Sequence, residues 1–513
     1  MTGVQTCALP ILLLLLAEGT GAWFKWILGI DRHGFNAPVG FALLLAASQV
    51  LYYPAQLFQY SFHWILVSTG IILIAAVFFV IYDLPDMKAS LLRPDSLLVL
   101  GAGAVFIFLC AGHDVVSITP GDNPFPKMMM DVKAPQFQGY FHFALAFARY
   151  LNLSRGFFGL APVGYGAAQI YGMGLLYVLM SSMLIVDIVR RRELRNHWFE
   201  FALGIYLLMN GNYTAWNPDT AWLGRSWAVL FTTMAVYTGY RYLKEENEMT
   251  KYLWLPIMTA GLACDNSFGL SGIAVLYGFM VYLFSVHKIR SLFDLFTFVI
   301  PHVAYMAAVL ASRWWPPLSV FLVMFYAWFS FRRYKRPIRR WIARAEEFCF
   351  DHYKELFLIA VPAVLTVASL IISAMQGWKG ISSYTYYFSD FTEIDGMRDY
   401  LLIHSGILQI ALNVFRWGGL VCLFWLAKEP CDRGIRVVLE AVLLVFLNPL
   451  CTPAISYMTG PMFIHTFHVL FNPFTEALLF LYVYRMFQWT VIGQWVLEIL
   501  LCLGAFLGIL GIR

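Results

Sequence analysis

Residues 61–82 read "SFHWILVSTGIILIAAVFFVIY", a stretch with no Asp, Glu, Lys or Arg. At 1.5 Å per residue a helix of this length rises about 33 Å, enough to cross the ~30 Å hydrocarbon core of a bilayer. It therefore reads as a membrane-spanning helix. Working outward, comparable apolar runs lie near 38–55, 96–112, 165–189, 222–240, 269–286, 356–376, 401–426 and 490–511. Counting shorter runs as well, about 15–16 spans follow one another from Val39 to Leu510. Composition agrees: 60% of residues are hydrophobic and 13% charged, where a soluble domain carries about 25% charged residues. The expected fold class is all-α, a polytopic integral membrane helical bundle. A soluble multidomain protein is excluded.

Charge placement gives the expected topology, because cytoplasmic loops are enriched in Lys and Arg. Between residues 113 and 473 the main basic stretches of one set of alternate loops hold nineteen basic residues, and the other set holds seven. The first set contains Arg190, Arg241, Lys288, the run "RRYKRPIRRWIAR" (332–344) and Arg433. The long loops 113–164 and 377–400 are thus expected outside, and 332–355 inside, where anionic headgroups would attract it. No basic patch points to nucleic acid. The expected partners include membrane lipids, and the sequence carries no signature of oligomeric state.

The organisation expected is an N-terminal group of spans (12–95), a core (96–331), the basic inner loop (332–355) and a C-terminal group (356–513). Residues 1–11, "MTGVQTCALPI", contain no Lys or Arg, against a secretory signal. They resemble the translation of a common sequencing-library adapter and are expected to be an artefact, so that the first span begins upstream. The eight cysteines form no CxxC pair and read as small apolar residues, with no metal implied. No glycine-rich nucleotide loop is present.

Polar residues in apolar surroundings mark candidate sites. Loop 113–164 begins with "AGHDVVSITPGDNPFPKMMMD", carrying Asp114, Asp122 and Asp131; a carboxylate just beyond a helix end is where a general base for a membrane-embedded substrate would sit. Its second half is expected to form an interfacial helix with Tyr140, Phe143, Phe147 and Tyr150 facing lipid. Further on, "NGNYTAWNPDTAWLGRSWAVLF" (210–231) leads a polar outer loop into a span containing Arg225. An arginine there either binds an anionic ligand or snorkels to the interface. In "CDNSFG", Asp265 and Asn266 mark either a broken helix opening on a polar cavity or a simple loop. Arg416 lies deep in a span and needs an acid, with Glu476 available to it or to His468. Tyr384, Tyr386 and Tyr387 in loop 377–400 read as a sugar-stacking cover or as an aromatic belt.

Thr220, Leu223, Arg225 and Trp227, followed much later by "NPLCTPAISYMTGPMFIHTFHVLFNPF" (448–474), resemble an uncharacterised family of bacterial polytopic membrane proteins. That family is similar to GT-C glycosyltransferases, which take sugars from polyprenyl-phosphate carriers. The resemblance covers roughly residues 96–490 and implies a GT-C-like bundle in the cell membrane. It also implies a lipid-linked sugar as donor, with Asp114, or alternatively Asp122, as the catalytic acid of the first outer loop. By the same resemblance Arg225 would hold the donor phosphate, with His465 and His468 at the places of the second motif; Asp265, Asn266, Trp227 and Arg416 are further candidates to line a substrate cavity. No divalent metal is indicated by the motifs. Two departures stand out. Ala228 and Val229 follow the tryptophan where the family continues Gln-Gly-Lys. His465 stands where the family's second motif, Trp-Arg-x-Phe-Trp, has arginine. The rival functions are a lipid or polysaccharide transporter and a non-catalytic envelope protein.

Overall fold

The computed structural model describes residues 2–30, 34–58, 62–91, 94–111, 139–157 with parts of 159–164, 168–190, 196–209, 221–286 (apart from 222, 246 and 266), 337–375, 407–459, 465–487 and 490–511. Among these residues every regular element is helical. Five helices are long and apolar enough to cross a membrane: Pro10–Ile27, Phe62–Tyr82, Tyr171–Arg190, Phe268–Ser285 and Glu355–Met375. Asn36–Tyr52, Leu97–Cys110, His197–Met209, Ile410–Leu426 and Val491–Phe506 are shorter apolar helices. The spans expected near 294–312 and 315–331, and the loop 377–400, lie outside the described residues.

We number the helices α1 (Thr2–Ile27), α2 (Asn36–Phe58), α3 (Phe62–Leu91), α4 (Pro94–Ala111), α5 (Gly139–Phe157), α6 (Leu175–Arg190), α7 (His197–Met209), α8 (Gly224–Glu245), α9 (Trp254–Cys264) and α10 (Ser267–Ser285). After the basic segment come α11 (Pro337–Asp351), α12 (Val361–Met375), α13 (Ile407–Leu426), α14 (Pro430–Ala441), α15 (Thr452–Thr459), α16 (Phe467–Leu470), α17 (Pro473–Met486) and α18 (Val491–Gly511). Local chemistry sets several boundaries. Pro430 and Pro473 occupy first turns, where the missing N–H is no loss. Asn472 caps α17: its Oδ1 accepts from the Phe474 and Thr475 amides, both at 3.1 Å, while its own N–H donates to Thr475 Oγ1 at 2.9 Å.

At the centre runs α8, buried from Ser226 to Leu243, with Arg225 exposed at its start. Two of its interior hydroxyls bond back to their own helix, Thr232 to Ala228 O and Thr233 to Val229 O, each at 2.9 Å, so burial leaves these two satisfied. Trp227 is fully buried against Phe41, Tyr140 and Tyr177, with ring centroids 4.6, 5.7 and 5.5 Å away. Close backbone approach binds α1 to α2: a Cβ on Gly40 would lie 1.8 Å from the Ala17 carbonyl, so only glycine permits this crossing.

Hydrogen bonds show which helix ends lie together. Lys25 Nζ donates to Gly34 O (3.1 Å), Asn247 to Gly29 O (3.3 Å) and Tyr237 to Asp187 Oδ2 (2.7 Å). Tyr282 donates to Pro430 O and Tyr482 to Asp432 Oδ2, each at 2.6 Å. Phe35 lies between two buried cations at this end, Lys25 Nζ at 4.3 Å and the Arg241 guanidinium at 5.2 Å. The segments that the charge pattern groups as basic loops, around 190, 241 and 433, are thereby gathered at one end of the bundle. Gly224, Cys264 and His465 mark the other.

One expectation is revised, and one left open is resolved. The helix predicted in the second half of loop 113–164 is present as α5, yet Tyr140, Phe143 and Phe147 are buried instead of facing lipid. The reason is available partners: Phe143 meets Phe41 edge-on at 5.9 Å, Tyr140 meets Trp227, and Tyr150 donates to Leu66 O at 2.6 Å. At Asp265 the chain makes a tight connection between two antiparallel helices, with Trp254 of α9 against Phe279 of α10 at 5.1 Å. It is a turn, not a break within one span.

Candidate functional site

Gly224 opens α8 and sits directly on α9. A Cβ at this position would fall 2.1 Å from the Cys264 carbonyl, so the absence of a side chain lets the first turn of α8 reach the residue before Asp265. Arg225 follows and is exposed. From the other side, Ser271 Oγ of α10 donates to the His465 carbonyl at 2.8 Å, holding the turn before α16 against the start of α10. His465 Nδ1 then lies 3.3 Å from His468 Nε2, with the rings stacked at 5.4 Å. One imidazole N–H donates to the other ring.

Electrostatics tie these residues into one group. Burial pushes the His465 pKa down to about 3, and Arg225 pushes the same way. His468 is also lowered to about 3, by burial first, then by His465 and Arg225, with Asp265 opposing. Arg225, Asp265, His465 and His468, separated by up to 243 positions in the sequence, therefore share one end of the bundle. Both imidazoles are neutral at pH 7. The group offers one permanent positive charge, imidazole N–H donors and a nearby carboxylate. The guanidinium and the N–H donors suit phosphate oxygens, whereas the carboxylate repels them and suits a hydroxyl instead.

A pH dependence follows. An unfolded histidine titrates near 6.5, whereas the folded pair resists protonation to about pH 3. Between these values the unfolded chain binds more protons, so stability is complete above pH 6.5 and is lost as pH falls toward 3. Melting temperature measured across this window should drop, and His468→Gln should flatten the slope. An unchanged slope in that variant would contradict the pair's contribution.

The remaining predicted residues fall elsewhere or lie outside the described residues. Asp114, Asp122, Asp131 and Asn266 are outside them, as are Tyr384, Tyr386 and Tyr387. Trp227 is in the aromatic core one turn below the helix start. Arg416 is wholly buried, with Nε 3.1 Å from Glu476 Oε1, Nη1 donating to Asn413 Oδ1 at 2.5 Å and Nη2 donating to the Tyr206 hydroxyl. The acid partner expected for it is Glu476. Sequence reading did not single out Gly224 or Ser271. Gly224 was detectable only as a small residue beside a charged one, and Ser271 carried no signal.

At the opposite end Glu429, Cys431 and Asp432 bring potential metal-binding atoms within 4.8 Å of one another. Asp432 accepts from Tyr482, and Cys431 Sγ lies 3.7 Å from Glu429 Oε2. Compared with known protein families, with curated proteins and with solved structures, the chain matches none.

Proposed function

We propose that this is a multi-pass cell-membrane protein of GT-C-like layout that transfers a sugar from a polyprenyl-phosphate donor on the extracytoplasmic face. The observation that carries the reading is the convergence of Arg225, His465, His468 and Asp265 at the end of the bundle opposite the basic loops. By the positive-inside rule that end faces outward. Arg225 grips the donor phosphate as charge builds on the leaving group, and the neutral imidazoles add donors without adding charge. Asp114, with Asp122 as its alternative, accepts the proton of the acceptor hydroxyl.

The experiment is donor binding and transfer by the purified protein with a polyprenyl-phosphate sugar. Arg225→Lys should weaken donor binding about tenfold, since a point charge replaces a bidentate fork, and Arg225→Gln should weaken it further. Equal binding by both variants and the wild type would remove Arg225 from this role. Movement of the intact lipid-linked sugar across the bilayer without transfer would instead assign a transporter.

A further inference from the structure

We propose that Asp265 is the residue that selects the donor's sugar: it accepts a hydrogen bond from a sugar hydroxyl and favours donors whose sugar is uncharged over those whose sugar carries a carboxylate. The inference rests on the function proposed above and names the substrate class of the same site.

The turn that carries Asp265 is fixed on both sides. Its backbone is extended, with φ −157° and ψ 140°. Its N–H donates to Gly261 O at 3.2 Å, and its carbonyl accepts from the Phe268 N–H at 3.1 Å. A Cβ on Gly261 would lie 2.6 Å from the Phe268 ring, so that ring closes the connection between α9 and α10 directly over the glycine. Cys264, the residue before, is met by Gly224 of the helix that carries Arg225. The helix that follows is tied to His465 through Ser271. Asp265 itself is half-buried, so its carboxylate hangs from a rigid backbone that touches both halves of the site.

Two opposite charges act in this site without neutralising each other. Arg225 disfavours the protonated form of His468, and Asp265 favours it. Yet no ion pair joins the two, and the exposed Arg225 forms none with any described residue. Elsewhere in this chain opposite charges close to contact, as in Arg416 with Glu476 at 3.1 Å and Arg241 with Glu245 at 2.7 Å. A ligand that bridges Arg225 and Asp265 must present an anion to the first and a hydrogen-bond donor to the second. A sugar joined to a lipid phosphate does both, because the phosphate carries the charge and the ring attached to it carries the hydroxyls. An ionised carboxylate only accepts, and from a hydroxyl it accepts a charge-assisted bond. A sugar with its own carboxylate instead sets like charges against each other, which disfavours the wrong ligand.

The test measures binding of two synthetic polyprenyl-phosphate donors to the full chain in lipid nanodiscs, one carrying a hexose and the other the matching hexuronic acid. The wild type should bind the hexose donor about tenfold more tightly. Asp265→Asn should bind the uronate donor more tightly than the wild type does, because the repulsion is gone, and the hexose donor less tightly, bringing the ratio near one. The gain in uronate binding also shows that the variant is folded. An Asp265→Asn protein that keeps the wild-type ratio, or weakens both donors equally, overturns the assignment, as does a wild type that prefers the uronate. A wild-type chain that binds neither donor overturns the function proposed above, and this inference with it.

Discussion

Replacing Glu476 by Gln should cost about 3–5 kcal/mol of stability, because it removes a buried carboxylate that faces a buried guanidinium. Arg416 and Glu476 are both fully buried and 3.1 Å apart, and two further acceptors of Arg416, Asn413 and Tyr206, are neutral. A neutral acceptor satisfies geometry but does not replace the carboxylate charge. In detergent the variant should unfold at markedly lower denaturant than the wild type. The combined replacement Arg416→Met with Glu476→Leu should recover most of the loss, since a buried ion pair exchanged for apolar side chains is often neutral or stabilising. A loss below about 1 kcal/mol in Glu476→Gln, the size of a surface pair, would show that water reaches the site and that the pair does not hold α13 to α17.

On the function proposed above, Gly224→Ala should reduce sugar transfer by about a hundredfold while leaving the protein folded, as expected when reacting groups are displaced by about 1 Å. The added Cβ would stand 2.1 Å from the Cys264 carbonyl, and both atoms belong to backbone-linked positions that cannot swing aside. The helices must part instead. That movement carries Arg225 away from Asp265 and the histidine pair, so the loss should appear in donor binding as well as in transfer. Gly418→Ala is the matched control: nothing lies within 4 Å of the added Cβ, and glycine to alanine in a helix is stabilising where there is room. If the two variants behave alike, close packing at Gly224 does not place Arg225.

Much of the architecture was legible in the sequence because hydropathy and charge act locally. Residues 62–82 of the uncharged run form the helix Phe62–Tyr82, and the helix ends around 190, 241 and 433, three of the places where the charge pattern puts basic loops, lie together. Arg416 could be recognised as needing an acid, since desolvation penalises any unpaired charge wherever it is buried. The turn at Asp265 was visible as a break, although its polarity alone did not distinguish a kinked span from a reversal of direction. Tertiary structure decided that point by setting Trp254 against Phe279.

It also decided what α5 faces. Tyr140, Phe143 and Phe147 have the composition of an interfacial belt, and an aromatic ring gains comparably from lipid or from other rings. Only the positions of Phe41 and Trp227 settled the choice. The same holds for the candidate site. Arg225 and His465 were separately noticeable as polar residues in apolar surroundings, but their proximity depends on Gly224 meeting Cys264 and Ser271 holding His465. Composition and periodicity thus determined that the chain is helical and apolar enough to span a membrane, because those preferences belong to single residues and their near neighbours. Which polar residues meet was left to packing, because Coulomb and hydrogen-bond energies depend on distances that only the folded chain sets.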